Sequence, residues 1–169
     1  MAFLDEAIAT LSSTPLQAQA LACGLSEEQL SWRAEATKFS IRENILHLRD
    51  IDIEGYEKRV QLILSQDCPA LPDVAGAKLA KERNYNAQPV EPALLDLHRS
   101  RSASMARLKA CTEQDLDRTA EMQGVGTINL RRLLELWMEH DQGHIVDMTQ
   151  LRRAIETGEH PSFVDHQAA

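Results

Sequence analysis

Two histidines four residues apart carry the clearest chemical signal in the sequence. His140 and His144 belong to a stretch in which large apolar residues recur every three or four positions. The apolar members of that series are Leu133, Trp137, Met148, Leu151 and Ile155. Residues at this spacing share one helix face, and a step of four stacks the two imidazoles one turn apart. Since imidazole nitrogen binds Zn, Ni, Cu and Fe, the pair predicts part of a metal site, with simple packing of the two rings as the alternative.

A third histidine is available on another predicted helix. His47 lies between Leu46 and Leu48, on or beside the apolar face of its segment. Three neutral imidazoles leave coordination positions open for water or substrate, which is the arrangement of catalytic rather than structural sites. The alternative for His47 is a core histidine satisfied by one hydrogen bond.

Two carboxylates are placed to hold these rings. Asp50 follows His47 by three residues, and Asp141 adjoins His140 and precedes His144 by three. A metal-bound histidine usually donates its other ring proton to a carboxylate or a carbonyl, which fixes its tautomer. We therefore expect Asp50 and Asp141 to orient the ligands, with solvated charges as the alternative.

Four long helices are predicted to position these residues, and no strand is predicted. Apolar periodicity and helix breakers place them at about 3–23, 41–66, 91–111 and 129–157. Ser40 and Glu43 form a capping box for the second, and Thr127 or Asn129 can cap the fourth. The Arg and Ser residues of the third helix are expected on its outward face. The proline-containing stretch 69–89 predicts a long crossover with a short helix at about 75–83.

These elements predict the all-α class: a four-helix bundle with a long crossover connection, as a single domain over residues 1–160 with a C-terminal tail at 161–169. The net charge of -8 and the pI near 5.2 argue against a nucleic-acid partner. The odd number of separated cysteines argues against disulfides and thiolate metal sites, and we expect the three thiols to be packed. No signal peptide or membrane span is recognised, so a cytoplasmic protein without membrane contact is expected.

Three segments together resemble the DinB/YfiT-like superfamily over about residues 5–155. They are KFSIRENILHLRD at 38–50, RNY at 83–85, and GTINL at 126–130 followed by HDQGH at 140–144. The resemblance implies a four-helix bundle that binds a divalent ion through His47, His140 and His144, and nickel and zinc are the ions it favours. The sequence departs from the family pattern at Phe39, where many members have Trp. Tyr85 matches a family turn position and is expected either to offer a polar group to the pocket or to pack on the bundle.

The resemblance leaves three functional hypotheses open. Members of the superfamily include S-transferases and isomerases that use low-molecular-weight thiols, and also hydrolases and stress-associated proteins. The first hypothesis is a metal-dependent transferase or hydrolase with a small-molecule substrate, for which a low-molecular-weight thiol is a candidate. The second is a non-enzymatic metal-binding stress-response protein, and the third is a dimeric interaction module. A homodimer is expected, and no residue identifies the metal or the substrate.

Overall fold

The structure is a computed structural model that describes residues 2–161 and 163. In chain order its elements are α1 Phe3–Ala22, α2 Glu27–Ser31, α3 Ile41–Asp50, a π-helical turn Ile51–Tyr56, α4 Glu57–Ser65, β1 Ala70–Leu71, α5 Gly76–Glu82, a 3-10 turn Tyr85–Ala87, α6 Val90–Lys109, a second 3-10 turn Glu113–Asp117, β2 Thr119–Met122, β3 Gly126–Asn129 and α7 Leu130–Thr157. Most of the predicted tail, 161–169, lies outside the described residues. No described helix is both long and apolar enough to cross a membrane.

Four long helical units form the bundle, as predicted. They are α1, the continuous unit from α3 through the π-helical turn to α4, then α6 and α7. Both α1 and α3 pack against α6 and α7. The crossover between α4 and α6 contains β1, α5 and the first 3-10 turn, and it lies against α3. The predicted all-α bundle with a long crossover is therefore confirmed.

The start of α3 is fixed by the predicted capping box. Ser40 Oγ accepts a hydrogen bond from the Glu43 amide at 3.1 Å, and Glu43 Oε2 accepts one from the Ser40 amide at 2.9 Å. Such caps are worth about 1 kcal/mol. At the start of the helix that carries His140 and His144, Asn129 Oδ1 caps α7 by accepting from the Arg132 amide at 2.9 Å. The two caps set where α3 and α7 begin, and hence which residues face the interior.

Pro15 lies inside α1 without ending it, so the helix predicted over residues 3–23 is continuous. Proline has no amide proton, so the carbonyl four residues earlier, that of Leu11, loses its helical partner. Arg101 Nη1 on α6 donates to that carbonyl at 2.7 Å. The expectation that the Arg and Ser residues of α6 face outward is therefore wrong for Arg101, and also for Ser100 and Ser104, all of which are buried.

A small sheet corrects the prediction of no strand. β1 pairs with β2 in parallel, and β2 pairs with β3 antiparallel. The hairpin between β2 and β3 turns through Gly124 and Gly126, which both have positive φ. The strands have two to four residues, too few to show the alternation that marks a strand in sequence. The packing expected of the thiols is also wrong for Cys23 and Cys68, which are exposed, while Cys111 is half-buried.

Candidate metal centre

The structure brings the three predicted ligand residues together in what we call the three-histidine cluster: His47, His140 and His144. One ligand nitrogen from each residue lies within 4.8 Å of the others. The ring centroids are 4.5 Å apart for His47 and His144, 4.6 Å for His140 and His144, and 5.2 Å for His47 and His140. His47 comes from α3, and the other two come from successive turns of α7. Two helices therefore supply the cluster, as the sequence pattern predicts.

Two ring nitrogens of the cluster have the separation that binding to one metal ion requires. His47 Nε2 and His140 Nε2 are 3.1 Å apart. Two nitrogens at about 2.0–2.1 Å from one ion, with angles between octahedral and tetrahedral, lie about 2.8–3.4 Å from each other. The donor set, three imidazoles with no thiolate, suits a first-row divalent ion. The residues present therefore fit a divalent metal.

His47 is the buried member of the cluster and sits under the crossover. A Cβ built on Gly76, the first residue of α5, would overlap His47 Cε1 and stand 2.9 Å from its Nδ1. Only glycine therefore allows α5 to approach this ring so closely. Burial, reinforced by the neighbouring His140, lowers the pKa of His47 to about 3. The ring thus stays neutral, which is the form that binds a metal.

His144 is held by a residue that the sequence interpretation did not single out. Its Nδ1 lies 2.7 Å from Oδ1 of Asn44, which is one turn before His47 on α3 and almost fully buried. The Asn44 Nδ2 group donates to the carbonyl of Ser40 at 2.9 Å. A polar residue three positions before a candidate ligand was the available signal, since that spacing places both on one helix face.

Asp141 contacts the cluster and anchors a buried charge network. Its Oδ1 lies 3.4 Å from His140 Nδ1, and its Oδ2 accepts from Arg101 Nη1 at 2.6 Å. Arg101 also donates through Nε to Asp52 Oδ1 at 2.8 Å. Burial disfavours the charge on Asp141, but the Arg101 guanidinium and His140 outweigh burial and hold the pKa of this carboxyl below its usual value. With the Leu11 carbonyl, Arg101 joins all four helical units at the level of the histidines.

Asp50 does not make the contact predicted for it. Its Oδ2 accepts from the Tyr85 hydroxyl and from Arg83 Nη1, both at 2.6 Å. Within residues 2–161 and 163, His47 Nδ1 has no hydrogen-bond partner. Asp50 therefore fastens the crossover to α3 instead of orienting His47.

Of the two alternatives for Tyr85, the structure shows the one in which the residue packs on the bundle. Its side chain is fully buried and its hydroxyl is committed to Asp50, so it packs on the bundle and offers no polar group to the cluster. Burial, together with the bond to Asp50, raises the pKa of Tyr85. The sequence shows these residues as polar positions in a turn and on α3, and only the packing of the crossover shows that they bind each other.

The exposure of the three rings differs. His47 is buried, whereas His140 and His144 are half-buried, with 14% of the His140 side chain exposed. One face of the ring of His140 meets Tyr56, whose centroid is 5.7 Å away, and Phe39 lies 5.4 Å from His47 and 6.5 Å from His144. The cluster therefore has aromatic neighbours in Phe39 and Tyr56, and it reaches solvent at His140 and His144.

Histidines from two helices converge inside this helical bundle, an arrangement that could hold a divalent metal ion. The comparisons with known proteins show the family. The model of the DinB superfamily matches residues 10–148, and the chain belongs to this superfamily. The resemblance found in the sequence is thereby confirmed.

Relatives from several bacteria match most of the chain. A protein of Geobacillus kaustophilus named "putative metal-dependent hydrolase" is 26% identical over 151 residues, covering 89% of this chain and 84% of its own length. A protein of the same name from Bacillus licheniformis is 27% identical over 161 residues, covering 90% and 86%. The solved structure of YfiT from Bacillus subtilis, described as "a probable metal-dependent hydrolase with an unusual four-helix bundle topology", superposes with a TM-score of 0.83 at 21% identity, covering 90% of this chain and 87% of that one. The superposition supports the four-helix bundle.

Proposed function

We propose that this protein is a divalent-metal-dependent hydrolase whose ion is held by His47, His140 and His144. The observation that carries the proposal is the convergence of three imidazoles with one side of the cluster reaching solvent. Three protein ligands leave positions for water and substrate, as in catalytic sites. The names of the relatives support hydrolysis. Zinc and nickel are the proposed ions, since imidazole binds both well.

The chemistry follows from the donor set. Held by His47, His140 and His144, a divalent ion would lower the pKa of a bound water and would polarise a substrate carbonyl or phosphoryl oxygen. The other contributions come from side chains around the ion. Burial keeps His47 unprotonated, Asn44 contacts His144 and Asp141 contacts His140. Phe39 lies beside the ring of His47. The substrate is proposed to be a small molecule that enters beside His140 and His144.

A comparison of two reactions tests this proposal. Protein loaded with Zn²⁺ or Ni²⁺ is incubated with a panel of carboxylic esters, amides and phosphoesters, and separately with activated electrophiles and low-molecular-weight thiols. We expect hydrolysis that depends on the ion and disappears in His140→Ala, with His98→Ala on α6 as the matched control. Turnover only with thiols refutes hydrolysis in favour of S-transfer. Stoichiometric metal with no turnover of either kind points to the non-enzymatic metal-binding alternative.

A further inference from the structure

We propose that Asn44 is a positioning residue of the three-histidine cluster, because it fixes the tautomer of His144 so that Nε2 is the ligand nitrogen. The inference deepens the metal site on which the proposed function rests. It concerns the state of the apoprotein, however, so it has a measurement of its own.

The hydrogen bonds of Asn44 determine which way its amide points. The carbonyl of Ser40 can only accept, so the group 2.9 Å away from it must be the NH₂ of Asn44. Oδ1 is then the atom that lies 2.7 Å from His144 Nδ1. An amide oxygen also only accepts, so Nδ1 of His144 carries the proton. In a neutral imidazole this leaves the lone pair on Nε2.

The other two rings also turn Nε2 toward the cluster. Nε2 of His47 and Nε2 of His140 face each other at 3.1 Å. His140 Nδ1 lies 3.4 Å from the Asp141 carboxylate, a longer contact than the one to Asn44. We infer that all three histidines present Nε2 to the centre of the cluster. The hydrogen bond at Nδ1 of His144 is shorter than the contact at Nδ1 of His140.

The amide also suits the charge of the site. Asn44 accepts a hydrogen bond from the ring N–H of His144 without adding a negative charge, whereas aspartate in the same position would make the ligand more basic. Glu43 is adjacent in sequence, but its carboxylate is committed to the Ser40 amide and to Arg33. The cluster thus keeps three neutral ligands, and a bound ion retains the charge that activates water.

A purely structural role is the competing explanation. Asn44 lies in the first turn of α3 and its NH₂ group binds the Ser40 carbonyl, so its loss could act on helix stability alone. Asn86 provides a matched control. It also makes two side-chain hydrogen bonds, to the Ser31 carbonyl at 2.9 Å and from the Ser40 hydroxyl at 2.7 Å, but it is not in the cluster.

The test compares Asn44→Leu, Asn44→Asp and Asn86→Leu with the wild type. Nitrogen-15 NMR of the metal-free protein reports the imidazole tautomers, and competition with a chromophoric chelator gives the Kd for Zn²⁺. We expect the proton on Nδ1 of His144 in the wild type and in Asn44→Asp. In Asn44→Leu we expect that preference to be lost and Zn²⁺ binding to weaken about 10- to 100-fold. Asn86→Leu should change neither property.

The outcomes separate this inference from the proposed function. A proton on Nε2 of His144 in the wild type overturns the inference, and that measurement does not require any variant to fold. Equal Zn²⁺ affinity in Asn44→Leu and in the wild type also overturns it. A wild type with the expected tautomer that binds no metal leaves the tautomer assignment standing and refutes the metal site instead.

Discussion

Replacing Arg101 with methionine is expected to destabilise the protein strongly. The Arg101 side chain is only 2% exposed, and it binds the carboxylates of Asp52 and Asp141 and the carbonyl of Leu11. Methionine has a similar length and fills much of the same space, but it donates no hydrogen bond. The variant therefore leaves two buried carboxylates and one carbonyl without their common partner.

The size of the effect follows from the buried charges. Removing one partner of a buried ion pair costs about 3–5 kcal/mol, because the remaining charge is left uncompensated. Domains of this size lose about 2–4 °C of Tm per kcal/mol, so we expect Tm to fall by about 6–20 °C. Arg99 offers the control: it lies on the same helix, its side chain is 71% exposed, and its ion pair with Asp96 spans 3.7 Å. Arg99→Met should change the free energy of unfolding by less than about 0.5 kcal/mol.

The pH dependence of this loss tests the cause. In the wild type, Arg101 and His140 hold the pKa of Asp141 below its unfolded value, so its stabilising effect is present above that value and is lost on acidification. Without Arg101, burial raises the pKa of Asp141, and stability is instead lost as the pH rises. The difference in unfolding free energy between wild type and Arg101→Met should therefore widen as the pH rises above about 4, the ordinary pKa of an aspartate carboxyl in the unfolded chain. Denaturant titrations measure it, and a loss as small as that of Arg99→Met, or one independent of pH, would refute the reasoning.

Two further predictions concern His47. Gly76→Ala should weaken Zn²⁺ binding, measured by chelator competition, because the added methyl group overlaps the His47 ring. Gly55→Ala is the control, since its Cβ meets only ordinary contacts at 3.6 Å or more. Equal Zn²⁺ affinities of Gly76→Ala and the wild type would contradict the steric argument. Metal-free protein should lose up to about 1.4 kcal/mol of stability per pH unit as the pH falls below about 6.5, because the unfolded chain takes up a proton that buried His47 refuses. The slope should flatten in His47→Gln, and an unchanged slope would show that other groups cause it.

The main elements of the fold could be predicted because their signals are local. The capping box at Ser40 and Glu43 and the spacing of His140 and His144 depend only on residues within a few turns of one helix. Steps of three and four residues place both histidines among apolar residues that must face the interior. The position of His47 could be predicted because it lies on or beside the face of its helix that carries Leu and Ile residues, and that face must turn inward.

The network around the site could not be predicted because it depends on packing between helices. Arg101 sits between two serines and looks like a surface residue in sequence, yet its partners come from three other helical units. Spacing alone predicts that Asp50 contacts His47. In the structure its carboxylate instead accepts hydrogen bonds from Arg83 and Tyr85 of the crossover. β1 pairs with β2, which lies far away in the sequence, and the two strands of the β2–β3 hairpin have only four residues each, so periodicity detects neither pairing. The homodimer and the small-molecule partner stay predictions.

The metal content of the purified protein tests the central claim most directly. Protein is stripped with chelator, reloaded with Zn²⁺ or Ni²⁺, desalted and analysed for metal per chain, beside His144→Ala and the control His98→Ala. We expect one ion per chain in the wild type and in His98→Ala. His144→Ala should retain almost none while keeping its helical circular dichroism. A wild type that retains no ion, or a His144→Ala protein that retains as much as the wild type, would contradict the assignment of the three-histidine cluster as a metal centre.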